Sequence, residues 1–148
     1  MNLAQVERLA GIVRSHASNG DKIGILGLSY KPDTVVVEES PGIALARSLH
    51  VSGHEVYIHD PAALEPALSR LEGVARACDD VDELVAACDV VVITTPWPEF
   101  ARVLAETSTR RERAPLVIDC WRLLRGVQHR LDVVELGRTL EQPTAVRT

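Results

Sequence analysis

The stretch that decides the fold is GILGLSYKPDT, residues 24–34. It begins like the turn of a dinucleotide-binding fold, in which glycines allow a sharp turn and a close approach of the backbone to a ligand. The third glycine of the G-x-G-x-x-G pattern does not follow, and a Lys-Pro pair stands where a helix should already run. The stretch therefore predicts a turn after a first strand and weakens an interpretation as an ordinary NAD site.

Strand and helix patterns alternate on both sides of this turn. Short apolar runs predict strands at 22–27, 54–60, 89–95 and 115–119, with 131–137 as a candidate for one more, and helical patterns fill 3–17, 40–53, 62–72, 81–88 and 98–107. This alternation is typical of an α/β protein with a Rossmann-like, doubly wound parallel sheet. We expect an amphipathic helix in residues 1–20, one Rossmann-like domain in 21–140, to which the family resemblance described below assigns nucleotide-sugar binding, and a flexible tail in 141–148.

Composition narrows the classes of function. The 148 residues suffice for one domain, and the net charge of -5 provides no electrostatic footprint for nucleic acid or an anionic membrane. No apolar run is long enough to span a membrane and the N-terminus does not read as a signal peptide, so we expect a cytoplasmic protein. Cys78, Cys88 and Cys120 are too scattered for a metal or redox motif and are expected to be buried, reduced thiols, with a reactive Cys120 as the less favoured alternative.

Ligands of doubly wound sheets bind beyond the carboxyl ends of the strands, which directs attention to the residues that follow each strand. Lys31 could neutralise a phosphate or be a solvated loop lysine, and Tyr30 could stack on a base or cover the sheet edge. Asp60 could accept a hydrogen bond from a ribose, but before Pro61 it is favoured as a helix cap.

The later strand ends carry further candidates. Thr95 and Trp97 could meet a ligand or simply begin a helix, while Arg122, beside Trp121, could hold a diphosphate or pair with Asp119. The sequence has no Ser-His-Asp spacing, paired carboxylates or metal cluster, so we predict no catalytic residue and no metal site.

Five segments together resemble a known family: KIGILGLSYKPDT, ESPGIALARSL, GHEVYIHDP, DVVVITTPWPEF and PLVIDCWR. In this order they resemble the C-terminal, UDP-binding domain of the UDP-glucose/GDP-mannose dehydrogenases, over residues 2–137. The resemblance implies that NAD and the catalytic cysteine belong to another domain of the full-length oxidoreductase, which serves polysaccharide precursor synthesis. It also implies that this chain binds no cofactor, and that its partners are a UDP-sugar and an NAD-binding catalytic domain or a second copy.

The resemblance implies that Lys31 is the lysine that reaches the substrate and that Tyr30 is the aromatic residue beside this lysine. Together with the strand-end residues it predicts a substrate site of Tyr30, Lys31, Thr95, Trp121 and Arg122, with Gly24 and Gly27 as loop glycines.

Two positions depart from the family pattern. Glu38 stands where an arginine is expected, and Trp121 takes the arginine position of the D-G-R motif, with Arg122 displaced by one. Three interpretations stay open: a UDP-sugar-binding part of a dehydrogenase, inactive alone; a stand-alone, non-catalytic binding or interaction module; and, least favoured, an independent NAD enzyme.

The Glu38→Arg substitution is expected to tighten UDP binding by about 5- to 30-fold. If Glu38 faces the diphosphate within about 8 Å, each charge pair costs roughly 0.5–2 kcal/mol, and the gain should shrink as salt is raised. Titration of UDP into both forms at low and high ionic strength measures it. Equal affinities would show that Glu38 does not face the diphosphate.

Overall fold

One seven-stranded sheet forms the centre of the molecule. The computed structural model describes residues 2–29, 40–108, 114–136 and 146–147. In these ranges the strand order is β3-β2-β1-β4-β5-β6-β7, with β1 to β6 parallel and β7 antiparallel to β6. The strands are β1 (Lys22–Leu26), β2 (Glu55–His59), β3 (Ala75–Ala77), β4 (Val90–Ile93), β5 (Leu116–Asp119), β6 (Asp132–Glu135) and β7 (Val146–Arg147). The predicted doubly wound sheet is confirmed.

Five helices complete the described part of the chain: α1 (Leu3–His16), α2 (Pro41–Val51), α3 (Leu64–Arg70), α4 (Val81–Ala87) and α5 (Pro98–Ser108). Side-chain caps mark three of their starts, because the first helical N–H groups have no partner within the helix. Asn2 caps α1, Ser40 caps α2 and Asp80 caps α4. None of the described helices combines the length and the apolar character needed to cross a membrane.

The helices cover both faces of the sheet, and each face has its own core. On β4, Val90 and Val92 face the core formed with α1, α2 and α3, whereas Val91 and Ile93 face the core formed with α4 and α5. Successive residues of a strand point to opposite faces, so a strand that is apolar throughout must be buried on both. This explains why the central strands read as continuous apolar runs.

Three elements differ from the sequence prediction. The short strand β3 was not predicted, because its half-exposed residues carry no apolar run and it joins the sheet by backbone pairing with Val56–Ile58. Helix α3 begins only at Leu64, after a turn closed by Asp60. Within the expected tail, Val146–Arg147 pairs with β6.

The two glycines of the opening stretch, Gly24 and Gly27, have different structural roles. Gly24 was predicted to be a loop glycine, and this is wrong: it lies inside β1, where a Cβ would overlap Leu84 of α4. Gly27 does form the turn, with a φ of 111° in the region that favours glycine, and a Cβ there would overlap Thr95.

The function of the missing third glycine is supplied by Gly42 in the first turn of α2. A Cβ on Gly42 would overlap the carbonyl oxygen of Gly27, so the helix packs directly, backbone on backbone, against the turn that follows β1. Close packing of a helix on the first turn is the role of the third glycine in dinucleotide-binding folds. Here that glycine lies beyond the expected spacing.

Gly42→Ala should destabilise the chain, although alanine is favoured over glycine inside helices by about 1 kcal/mol. The new methyl group would have to displace backbone rather than a flexible side chain, so we expect a net loss of roughly 1–3 kcal/mol, the range typical of overpacking. Gly11→Ala in α1 is the matched control, because its Cβ would meet nothing closer than Arg14 Nη2 at 3.9 Å.

Urea unfolding of both variants measures the free energy of unfolding. Gly11→Ala is expected to stabilise the chain by up to about 1 kcal/mol. A gain of stability in Gly42→Ala as well would contradict the close contact between α2 and the β1 turn.

Candidate functional site

The carboxyl ends of four parallel strands are level with one another. Register pairs Leu26 of β1 with Ile93 of β4, Ile93 with Asp119 of β5, and Asp119 with Glu135 of β6. We call the residues that follow these strand ends, together with those that follow β2, the strand-end edge. The strand order reverses between β1 and β4, and the helices that follow these two strands lie on opposite faces of the sheet. Ligands of α/β proteins bind at such a switch point, and we call this place beyond the ends of β1 and β4 the crevice.

Asp60 closes one side of this edge. Its buried carboxylate accepts hydrogen bonds on Oδ2 from Leu28 N (2.8 Å), Ser29 N (3.3 Å) and Ser29 Oγ (3.4 Å), and on Oδ1 from Ala62 N and Ala63 N (both 2.8 Å). Asp60 thus ties the turn after β1 to the turn before α3. The favoured interpretation as a helix cap is wrong: α3 begins only at Leu64, with Ala63 as an N-cap without a side-chain bond, and Asp60 instead closes the turn before the helix and binds a second set of donors.

Two threonines hold the same turn from the β4 side. The Thr94 hydroxyl donates its one proton toward the Gly27 carbonyl at 2.6 Å, and the Thr95 hydroxyl donates to the Ser29 carbonyl at 3.2 Å. Both side chains are buried. Thr95, predicted to bind substrate, therefore has its donor engaged by the protein, and its part in ligand binding stays a prediction.

Asp119 organises the turn after β5. It is fully buried, and its carboxylate accepts from Trp121 N (3.1 Å) and Leu123 N (3.0 Å) on Oδ1 and from Leu124 N (2.9 Å) on Oδ2. The Trp121 indole reaches back over β4 and donates from Nε1 to the Thr94 carbonyl at 2.9 Å. The structure thus brings Trp121 and Thr94 together at the crevice.

Arg122 has its side chain directed toward the end of β6. It is the one non-glycine residue of the described chain with a positive φ, 56°, and its Nε donates to the Leu136 carbonyl (3.3 Å) and lies 3.8 Å from Glu135 Oε1. Pairing with Asp119, one of the two alternatives for this residue, is not formed, and three backbone amides bind that carboxylate instead. Arg122 therefore lies at the β6 end rather than beside Thr95, and its contact with a diphosphate stays a prediction.

Glu135 is a strand-end residue that sequence analysis missed. Its buried carboxylate accepts from Arg125 Nε at 2.6 Å, and this hydrogen bond raises the pKa of Arg125. A glutamate at the end of an otherwise apolar strand was the available signal, since a buried carboxylate needs a charged or hydrogen-bonding partner. Two guanidinium groups and two buried carboxylates, Asp119 and Glu135, balance the charge at this end of the edge.

Burial disfavours the reactive thiolate form of two of the three cysteines. All three are buried and free, as predicted, and burial raises the pKa of Cys78 to about 11 and that of Cys120 further still. Because the thiolate is the reactive form, both remain protonated thiols near neutral pH. The less favoured reactive Cys120 therefore finds no support.

Other strand-end side chains serve packing. Phe100 is fully buried and lies edge-on to His59, whose Nδ1 is 2.9 Å from the Cys78 carbonyl oxygen. Trp97 is half-buried against the α4–α5 core. The described ranges contain no group of three or more side chains able to hold a metal ion. Tyr30, Lys31 and Glu38 lie outside the described residues.

Asp60→Asn is expected to destabilise the chain by roughly 2 kcal/mol or more. An amide nitrogen would replace one carboxylate oxygen and face backbone N–H donors, which leaves buried donors without an acceptor. Asp80→Asn is the control, because Asp80 caps α4 at the surface through a single 2.8 Å bond and asparagine caps equally well. Thermal unfolding measures the Tm of both variants, and the Tm of Asp60→Asn should be the lower one. Equal Tm values would contradict the structural role of Asp60.

Comparison with known proteins agrees with this architecture. The family model described as "UDP-glucose/GDP-mannose dehydrogenase family, UDP binding domain" matches residues 24–126, which include the ends of β1 to β5. The chain is 34% identical over 118 residues to a UDP-glucose 6-dehydrogenase of Rhizobium meliloti, covering 80% of this chain and 26% of that protein. It is 31% identical over 126 residues to a GDP-mannose 6-dehydrogenase of Pseudomonas aeruginosa, covering 78% and 28%.

Solved structures show the same relationship. A UDP-glucose dehydrogenase from Pyrobaculum islandicum superposes with a TM-score of 0.69 at 29% identity, over 82% of this chain and 28% of that one. A GDP-mannose dehydrogenase from Pseudomonas aeruginosa gives 0.65 at 26% identity, over 80% and 28%. The chain thus spans about a quarter of the length of the relatives it matches. It belongs to the UDP-glucose/GDP-mannose dehydrogenase family and corresponds to the UDP-binding domain of that family.

Proposed function

We propose that the chain binds a UDP-sugar or a closely related nucleotide sugar at the strand-end edge, as the substrate-binding part of a nucleotide-sugar 6-dehydrogenase. The observation that carries the proposal is the family match over residues 24–126, which contains Lys31 and the turns after β1 and β5. Lys31 supplies a charge-assisted hydrogen bond to a phosphate, and Tyr30, Thr95, Trp121 and Arg122 complete the proposed site.

The residues of this chain do not fit NAD. In a dinucleotide-binding fold, the acidic residue after the second strand accepts from the ribose of the cofactor. Asp60 has that position, but five donors of the protein already occupy its two oxygens. A ribose hydroxyl could bind there only after the turns at β1 and α3 had come apart. NAD is therefore assigned to a separate domain of the full-length enzyme.

Oxidation of the sugar needs groups that we do not assign to this chain. The two cysteines with resolved pKa shifts are buried, protonated thiols, and none of the three stands in a glycine-rich segment. In our proposal the chain holds and orients the nucleotide diphosphate, while hydride acceptor and nucleophile come from the catalytic domain. Free, buried thiols also suit the reducing cytoplasm, where we place the protein.

The second candidate is a non-catalytic binding or interaction module with the same fold. Two substitutions favour it, because Glu38 and Trp121 occupy positions where the family resemblance leads us to expect arginine. Loss of both cations would weaken the attraction for a diphosphate. The module and the substrate-binding domain differ in one measurable property, the affinity for a nucleotide sugar.

UDP-glucose should raise the Tm of the chain more than an equal concentration of NAD does. A ligand at about 100 times its Kd stabilises the folded state by about 2.7 kcal/mol, which corresponds to several degrees for a domain of this size. Lys31→Ala should remove most of the protection by UDP-glucose.

Lys22→Ala is the matched control, because Lys22 begins β1 at the opposite edge of the sheet and is paired only at the surface with Glu55, at 4.0 Å. It should keep the protection. Stronger stabilisation by NAD would support the NAD enzyme instead, and no stabilisation by either ligand would support the interaction module.

A further inference from the structure

Trp121 is the one large hydrophobic side chain at the strand-end edge that the described structure leaves exposed, at 52%. The other exposed ones, Leu3, Val51 and Leu68, belong to helices. An aromatic residue buries a large area on contact with a ligand, so its exposure beside a crevice calls for an explanation. Trp97, the other tryptophan, is packed against the α4–α5 core.

The indole of Trp121 is held in place on both sides. Its Nε1 donates to the Thr94 carbonyl at 2.9 Å, and its backbone N–H donates to Asp119 at 3.1 Å. The next residue, Arg122, adopts a φ of 56°, in the left-handed region that residues with a side chain seldom occupy. The turn therefore fixes the ring before any ligand arrives, which lowers the entropy cost of a contact with it.

The surface that Trp121 offers is apolar. The only polar atom of the indole is engaged by Thr94, so the exposed part is ring carbon. The surroundings add no net charge, because Arg122 and Arg125 are balanced by Asp119 and Glu135. This part of the edge is thus built for the flat face of a ring rather than for a phosphate.

We propose that Trp121 is the stacking surface for a ring of the bound nucleotide sugar, either its base or its hexose. The inference rests on the proposed function. It gives the residue that replaces an arginine of the family pattern a direct contact with the ligand, through dispersion and the π-system rather than through charge. Stacking accepts different bases, because every base has a π-face, and it is insensitive to screening by salt.

Intrinsic fluorescence tests the contact, since the chain has two tryptophans. In the Trp97→Phe chain Trp121 is the only indole, and UDP-glucose should quench its emission. In the Trp121→Phe chain only Trp97 remains, and the emission should not change. UDP, which lacks the hexose, and glucose 1-phosphate, which lacks the base, are titrated in the same way. Quenching by UDP assigns the base, and quenching that requires UDP-glucose assigns the hexose.

Calorimetric titration of UDP-glucose adds the energetic test. Trp121→Ala should weaken binding by roughly 5- to 150-fold, equally at low and high ionic strength, while Trp121→Phe should stay within about fivefold of the unchanged chain. A loss that disappears at high salt would indicate an electrostatic effect and overturn the stacking role.

The two proposals fail in different ways. Binding of UDP-glucose with unquenched Trp121 and an unchanged affinity of Trp121→Ala would overturn the stacking surface alone. If the unchanged chain binds no UDP-glucose at all, the proposed function is wrong and the inference falls with it.

Discussion

The architecture depends on contacts that leave no room for a side chain at Gly27. Thr95 lies against its Cα, the first turn of α2 meets its carbonyl through Gly42, and the Thr94 hydroxyl donates to the same carbonyl. Three elements that are far apart in sequence thereby meet at the end of β1. Because interiors are close-packed and backbone yields little, this junction sets how closely α2 and β4 approach the turn. The position of the strand-end edge follows from it.

On either side of the crevice, a buried carboxylate holds a turn through hydrogen bonds from backbone amides. Asp60 accepts from the turns after β1 and before α3, and Asp119 accepts from three amides of the turn after β5. A buried carboxylate is stable only when hydrogen bonds replace its hydration. Each aspartate therefore makes its turn rigid, and the same bonds remove Asp60 from the group of residues able to bind a cofactor.

The chain keeps the fold of its family, and our proposals give one end of the site a different chemistry. By the family resemblance Trp121 stands at a position where arginine is expected, and in the structure the neighbouring Arg122 is directed to Leu136 and Glu135 at the β6 end. In the proposed function, the charge that a diphosphate needs is supplied from the β1 side by Lys31, the residue that the family resemblance assigns to the substrate. Such a division separates recognition of the phosphates from recognition of a ring. It is consistent with a domain that binds substrate and leaves redox chemistry to another part of a longer enzyme.

The sequence by itself determined the elements whose signals are local. Apolar runs predicted the central strands, helical patterns predicted α2 and α4, and the motif around Lys31 together with the four later segments predicted the family. Tertiary structure alone decided β3, the second set of donors on Asp60 and the turn of Arg122 toward Glu135. These depend on which backbone groups meet across long separations, 32 residues between Leu28 and Asp60. Periodicity and capping describe only neighbours along the chain, so contacts between distant residues can be identified only from the assembled sheet.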